Sequence, residues 1–124
     1  MKAPHLLRGA SCEQTACDWL TAKGLQLVKQ NYRCPCGELD LVMLEQSCLV
    51  IVEVRYRRNH LHGGALESVT REKQQRLGRA TEHFLQQQPA YRQLAIRFEV
   101  LAISGTGPDQ QLIWRRNAFQ FDGW

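Results

Sequence analysis

Between Gly37 and Arg57, polar and apolar residues alternate at period two, pause at Glu45–Cys48, and then alternate again. That pattern predicts a β-hairpin with one four-residue turn. The turn sets a register in which Asp40 faces Glu53 and Glu38 faces Arg55. Upstream, Ser11–Lys23 reads as a helix, with Ser11 and Gln14 as a capping pair and Gly24 as its stop. If that helix extends back past Gly9, Leu6, Ala10, Glu13, Ala16, Cys17 and Leu20 form one stripe. A strand over Leu25–Arg33 leads into the hairpin. After a loop over Arg58–Gly64, a second helix is expected from Ala65 to Gln88, ending before Pro89. Its inner stripe holds Leu66, Val69, Lys73, Leu77, Ala80 and Phe84. Leu94–Ile103 alternates as a strand, Gly105–Asp109 is a turn, Gln111–Arg115 a short strand, and Asn117–Trp124 an aromatic tail that docks on the body or on a partner. The order, one helix, three strands, one helix and two strands, predicts an α/β fold with a mixed sheet flanked by helices.

Four charged residues sit where this pattern calls for apolar ones. Glu13 and Lys73 lie on the inner stripes of the helices, and Asp40 and Glu53 face each other across the hairpin. Carboxylates are rarely buried without partners, because an unpaired ion in a low dielectric is costly. Opposed residues on an antiparallel pair lie about 4.5–5.5 Å apart at Cβ, close enough for two carboxylates to share a hard cation such as Mg²⁺ or Mn²⁺. A one-residue slip in register would put them on opposite faces. Lys73 has a plainer reading, a stem packed along the core with its amine reaching water. Glu38 has two readings, orienting Arg55 or forming an ordinary cross-strand ion pair.

At 124 residues and 44 % hydrophobic content, the chain fits one domain spanning 1–124 with a single core. Its net charge is +4, unevenly spread: Arg55, Arg57, Arg58, Arg71, Lys73, Arg76 and Arg79 face only Glu67 and Glu72 within Arg55–Arg79. Such a local excess suits a phosphate backbone or another acidic partner, or is simply a solvated face. No apolar run approaches the roughly 20 residues of a membrane-spanning helix, and the first residues lack a signal-peptide core; a cytoplasmic location and no membrane partner are expected. The five cysteines are an odd number, which fits free thiols better than a disulfide scaffold. Cys34-Pro35-Cys36 is one residue short of a CxxC pair, with no second pair at zinc-site spacing, so ordinary thiols beside a turn are the expectation. His5, His60, His62 and His83 read as surface or edge residues. Trp19, Trp114 and Trp124 read as core or interface packing.

The stretches RGASCEQTACDWL, NYRCPCGELDLVMLE, LVIVEVRYRR, HGGALESVTREKQQRL and RFEVLAI resemble, in this order, the YraN-like UPF0102 family of small, largely uncharacterised bacterial proteins. That family is similar to restriction-endonuclease-like and archaeal Holliday-junction-resolvase-like proteins. The resemblance implies a restriction-endonuclease-like mixed sheet flanked by helices. It also implies a nuclease signature of an acid, a spacer and an acid-x-Lys triplet, preceded by a helical Glu. Asp40 matches the first acid, Glu53-Val54-Arg55 the triplet, and Glu13 the helical Glu. By that match Asp40 and Glu53 hold Mg²⁺ (or Mn²⁺), supported by Glu13 and the Val54 carbonyl. Lys73 matches a later basic position that contacts phosphate. Arg55 departs from the usual Lys: a guanidinium clamps phosphate but stays protonated and is a poor proton acceptor. Any base role then falls to metal-bound hydroxide, a carboxylate or the substrate phosphate.

The expected activity is a divalent-metal-dependent endonuclease on structured or branched DNA, with Glu13, Asp40, Glu53, Arg55 and Lys73 as its catalytic set. Arg55, Arg57, Arg58, Lys73 and Arg76 would hold the nucleic acid backbone. DNA and branching come from the resemblance alone, and a pseudo-symmetric branched substrate favours a homodimer. The alternative is an inactive nucleic-acid-binding module with the same fold. A third reading, a purely structural partner-binding protein, leaves Glu13 and Lys73 on apolar stripes unexplained.

Overall fold

A computed structural model describes the backbone of residues 4–57 and 67–123, with side chains from Ser11 onward. Helix α1 (Pro4–Ala22) is followed by β1 (Gln26–Cys34), β2 (Gly37–Glu45), β3 (Cys48–Arg57), α2 (Arg71–Gln87), β4 (Ala95–Ser104) and β5 (Gln111–Phe119). The five strands form one sheet in the order β1-β2-β3-β4-β5. All neighbours are antiparallel except β3 and β4, which are parallel. A parallel pair needs a crossover, and α2 supplies it. The expected fold class is observed: an open mixed sheet with two helices, the arrangement of a restriction-endonuclease-like core.

The sheet is covered on both faces. Leu77, Ala80, Phe84 and Leu85 of α2 pack with Val42, Leu49, Ile51, Phe98 and Val100. Ala16, Cys17 and Leu20 of α1 pack with Leu41, Met43, Val50, Val52, Leu101 and Ile103. Leu49–Val52 is therefore buried on both sides, as its unbroken apolar run requires of a central strand.

Three element boundaries differ from expectation, each for a local reason. Helix α1 starts at Pro4, so Ser11 lies inside it and caps nothing. Its end is as expected: Gly24 takes φ 105°, Leu25 N–H donates to Leu20 O (3.1 Å) and Gly24 N–H to Thr21 O (3.0 Å), a Schellman closure. Helix α2 begins at Arg71 rather than Ala65, because Thr70 is extended and its hydroxyl accepts from Lys73 N–H at 3.2 Å. Val69 is still buried, but ahead of the helix; Ala65 and Leu66 lie outside the described residues. Strand β5 runs on to Phe119 and so includes the start of the aromatic tail. Beyond it Phe121 is buried over Gly78 of α2, where an added Cβ would fall 2.1 Å from the ring.

Candidate functional site: a carboxylate centre at the end of the hairpin

The hairpin register is the one the alternation predicts. Glu45 pairs with Cys48 and the ladder runs to Leu41 opposite Val52, with Gln46 at φ 55° in the turn. One further step would set Asp40 against Glu53. There the ladder gives way: the Asp40 carboxylate accepts the Val54 N–H at 2.9 Å, taking the place of a backbone acceptor. The expected Glu38–Arg55 pairing does not form. Glu38 meets Arg33 of β1 at 3.6 Å, and Arg55 turns to Glu53 on its own strand.

Why the strands part here can be read from β1. Asn31 adopts φ 55°, a left-handed conformation that Asn tolerates better than most residues. It occupies the rung between Gln30–Leu41 and Tyr32–Leu39, the same rung as Asp40. On one side of this rung Leu41 packs toward α1; on the other Leu39 packs toward α2, although the two share strand parity. The faces of β2 invert at Asp40. That inversion carries the Asp40 side chain into the gap beside β3, while the Asn31 amide bonds Glu13 on α1.

Glu53 is 4 % exposed. Its Oε2 lies 3.2 Å from Arg55 Nη2 and 3.6 Å from Lys73 Nζ. Thus Lys73, from the first turn of α2, reaches across to the hairpin acid, and the two residues of the triplet pair with each other. Burial and the Asp40 charge push the Glu53 carboxyl up to about 8, against the opposing pull of Lys73 and Arg55. Asp40 is also raised, by burial, with the Val54 N–H and a hydrogen bond shared with Glu53 working the other way. Glu13 is raised to about 7 by burial, then by Asp40, with the Asn31 bond opposing. Burial is thus the main cause at all three carboxylates, and the Asp40 charge adds to it at Glu53 and Glu13. The guanidinium of Arg55 adds an imbalance of its own: its Nε is buried and has no hydrogen-bond partner among the described residues.

Asp40, Glu53, Arg55 and Lys73 are brought into one contact network, with Glu13 coupled to it through charge. Val54 enters through its N–H. Arg57 and Arg76 are exposed, and Arg76 pairs with Glu72 at 2.9 Å, a surface contact worth little. Arg58 lies outside the described residues, as do Gly63 and Gly64. For a cation, Asp40 and Glu53 are the adjoining donors. Among the described residues no three His, Cys, Asp or Glu side chains converge closely enough to hold one as they stand. Sequence reasoning missed Asn31, whose only signal is that Asn is one of the few residues suited to a left-handed rung. It also missed the Tyr32 hydroxyl, which hydrogen-bonds His83 Nδ1. The five cysteines are free thiols, Trp19 and Trp114 pack edge to face at 5.9 Å, and among the described residues no helix is long and apolar enough to cross a membrane.

Comparison with known proteins gives a consistent result. Residues 12–103 match the family described as uncharacterised protein family UPF0102. A UPF0102 protein of Nitrosococcus oceani is 40 % identical over 120 residues, covering 97 % of each chain. One from Stutzerimonas stutzeri is 47 % identical over 112 residues, covering 90 % of this chain and 93 % of its own. Another, from Legionella pneumophila, is 44 % identical over 112 residues with the same coverage.

Proposed function

We propose that this chain, which belongs to the UPF0102 family, is a nucleic-acid-binding module built on a nuclease-like fold, gripping the phosphate backbone from the rim of the carboxylate centre. One observation carries the reading. Glu53, at the position of the signature's second acid, has two cations of the same chain beside it, Arg55 and Lys73. Both cations sit on the same carboxylate oxygen, Oε2, where a metal ion would otherwise bind, and they bring positive charge to the rim where a phosphate can meet it. The unpartnered Arg55 Nε is a donor that an anionic oxygen would satisfy. Exposed Arg57 and Arg76 extend the positive rim, and Arg58 follows in sequence. Contacts of this kind position a strand without reading its bases.

A second reading, a Mg²⁺- or Mn²⁺-dependent endonuclease on structured DNA, is favoured by a different observation. Asp40, Glu53 and Glu13 are all pushed toward protonation, each chiefly by burial, with the Asp40 charge adding to it at Glu53 and Glu13, and a cation relieves that kind of pressure. Asp40 and Glu53 would hold it, with Glu13 and the Val54 carbonyl in support; a bound Mg²⁺ would activate water and neutralise charge on the phosphoryl oxygens. In this reading Arg55 and Lys73 orient the phosphate, and a two-fold dimer would suit a branched substrate.

The test incubates the purified chain with labelled duplex, single-stranded, flap and four-way-junction DNA, and with RNA, in Mg²⁺, Mn²⁺ or EDTA. Asp40→Ala and Glu53→Ala proteins run alongside. The binding module predicts salt-dependent mobility shifts that persist in EDTA and no cleavage products. Metal-dependent products that vanish in both variants would replace it with the endonuclease. Weak binding of every nucleic acid at low salt would defeat both.

A further inference from the structure

Between the free edge of β1 and the last turns of α2 lies a cleft of about 580 Å³, lined by Lys29, Asn31, Tyr32, Arg33, His83, Phe84, Gln87 and Gln88. Its volume falls within the range of about 300–1,000 Å³ typical of small-ligand sites. Its chemistry is one-sided: two cations, an imidazole, a phenol and three amides, with no carboxylate among the described lining residues. Two of these residues join it to the centre described above. Asn31 bonds the Glu13 carboxylate, and Arg33 lies 3.6 Å from Glu38. The cleft is therefore the flank of the candidate site on its β1 side.

Its floor is organised. Tyr32 packs edge to face on Phe84 at 5.2 Å, and its hydroxyl meets His83 Nδ1. Burial, and then the nearby Cys34 and Cys36 thiols, raise the Tyr32 phenol, which keeps its proton at neutral pH. The Tyr32 hydroxyl and His83 Nδ1 share this hydrogen bond, which leaves Nε2 for a second partner. Asn31 takes a left-handed conformation within this edge strand, at the middle of the cleft wall. Unpaired edge backbone, amides, an aromatic floor and two cations are the means by which a nucleotide is held: cations for its phosphate, amides for its base.

We propose that this cleft is a nucleotide subsite, taking one unpaired, phosphate-bearing nucleotide of a strand whose neighbouring phosphate lies at Arg55 and Lys73. The proposal rests on the nucleic-acid reading above and adds to it a preference for strands with an unpaired nucleotide. Lys29 and Arg33 attract the phosphate, and Gln87 and Gln88 meet the base edge. Arg33 is largely exposed and only loosely held by Glu38, so its charge remains available.

The test is a titration of the ¹⁵N-labelled full chain with deoxyadenosine monophosphate, followed by nuclear magnetic resonance, with deoxyadenosine and inorganic phosphate as separate arms. The expected result is saturable shifts in the amides of residues 29–33 and 83–88, with each fragment binding several-fold more weakly than the whole nucleotide. Lys29→Ala should weaken single-stranded DNA binding several-fold and reduce the slope of its salt dependence by about one phosphate contact. Gln87→Ala should weaken mononucleotide binding and leave that slope unchanged. Both positions are exposed, so folding is not at stake. Saturable shifts confined to the Arg55 and Lys73 region, with DNA binding intact, would overturn the subsite and leave the binding module standing. Shifts in the cleft without any DNA binding at low salt would instead overturn the strand-binding role, leaving a site for free mononucleotides.

Discussion

Two carboxylates of this protein are buried in the same sheet and differ in almost every other respect. Glu99 on β4 is fully buried, and three donors satisfy it: Arg97 Nε at 2.7 Å, Trp114 Nε1 at 2.7 Å and the Asn117 N–H at 3.3 Å. Arg97 then reaches Glu45, which also receives Arg116, each at 2.5 Å. These bonds hold the Glu45 carboxyl below its ordinary range. Glu53, one strand away, has cations at 3.2 and 3.6 Å, a second carboxylate beside it and a proton affinity raised to about 8. A buried acid is thus no sign of a site by itself. What separates the two is whether the local donors balance the charge. Around Glu99 they do, and the network ties β5 to the sheet. Around Glu53 the acids outnumber what their partners can settle, which is the condition a ligand relieves.

Removing the satisfied acid should do the most harm. Glu99→Ala strands the indole N–H of Trp114 and one arm of Arg97 in the interior, and should cost about 3–5 kcal/mol of unfolding free energy. Glu53→Gln should cost far less, because it also removes the repulsion with Asp40. Urea unfolding of the two variants beside the parent decides this. Equal losses would show that Glu53 is as well accommodated as Glu99.

The pH dependence sharpens the same contrast. A carboxyl whose folded pKa is raised binds its proton more tightly in the native state, so its contribution is fully present below the unfolded value and is lost as pH rises through the folded one. For Glu53 that window runs from 4.5 to about 8, and for Glu13 from 4.5 to about 7. Unfolding free energy should therefore fall between pH 5 and 8.5, by on the order of a few kcal/mol. In Glu53→Gln the fall should shrink markedly. A parent protein whose stability stays flat or rises across that interval would contradict the strained centre. Glu45, shifted the other way, should contribute a loss only on acidification, as pH drops below 4.5.

How much of this was legible beforehand follows the same division. Asp40 and Glu53 stood out because period-two alternation and one turn fix a register, and the observed ladder keeps it as far as Leu41–Val52. Lys73 stood out because helical periodicity put it on the face of Leu77 and Ala80. The parting of the strands at Asp40 was not legible, since it depends on the sign of φ at Asn31, and periodicity carries no information on that. Glu99 was passed over for an opposite reason: in RFEVLAI it looks like an ordinary polar turn of the alternation, and its partners come from its own strand and from β5. The extent of β5 was lost in the same way. Arg115, Arg116 and Asn117 look like the end of a strand until Glu45 and Trp114 are seen to receive Arg116, by ion pair and by a cation–π contact at 4.2 Å. The late start of α2 had a signal, Thr70 ahead of Arg71-Glu72, which the apolar Leu66 and Val69 obscured.

A smaller effect separates the partners of Glu99 from one another. Trp114→Phe keeps an aromatic ring beside Trp19 and Arg116, but removes the pyrrole part of the indole together with the N–H that Glu99 Oε1 accepts. The loss should be about 1–2 kcal/mol, the cost of a buried acceptor deprived of one donor. A loss near zero would mean that Arg97 and Asn117 alone satisfy the carboxylate, and the network would then be looser than its distances imply.

The smallest effect is the one that bears most on function. Arg97→Lys and Arg55→Lys each exchange a guanidinium for an ammonium beside a buried glutamate, but the two guanidinia are used differently. Arg97 spans two acids with separate nitrogens, Nε to Glu99 and Nη2 to Glu45, and a lysine cannot reproduce that fork. Its replacement should cost about 1–2 kcal/mol. Arg55 uses Nη2 toward Glu53 and leaves Nε unpartnered. Lysine there gives up one ion pair and one unsatisfied buried donor together, so the change in stability should stay within about 0.5 kcal/mol. Affinity for DNA should fall a few-fold but persist in Arg55→Lys, because an ammonium still neutralises a phosphate while the Nε donor is lost. If Arg55→Lys instead abolishes binding while stability is unchanged, the forked geometry of Arg55 is itself the phosphate grip. The unpartnered Nε would then be a donor reserved for the ligand rather than a cost the fold tolerates.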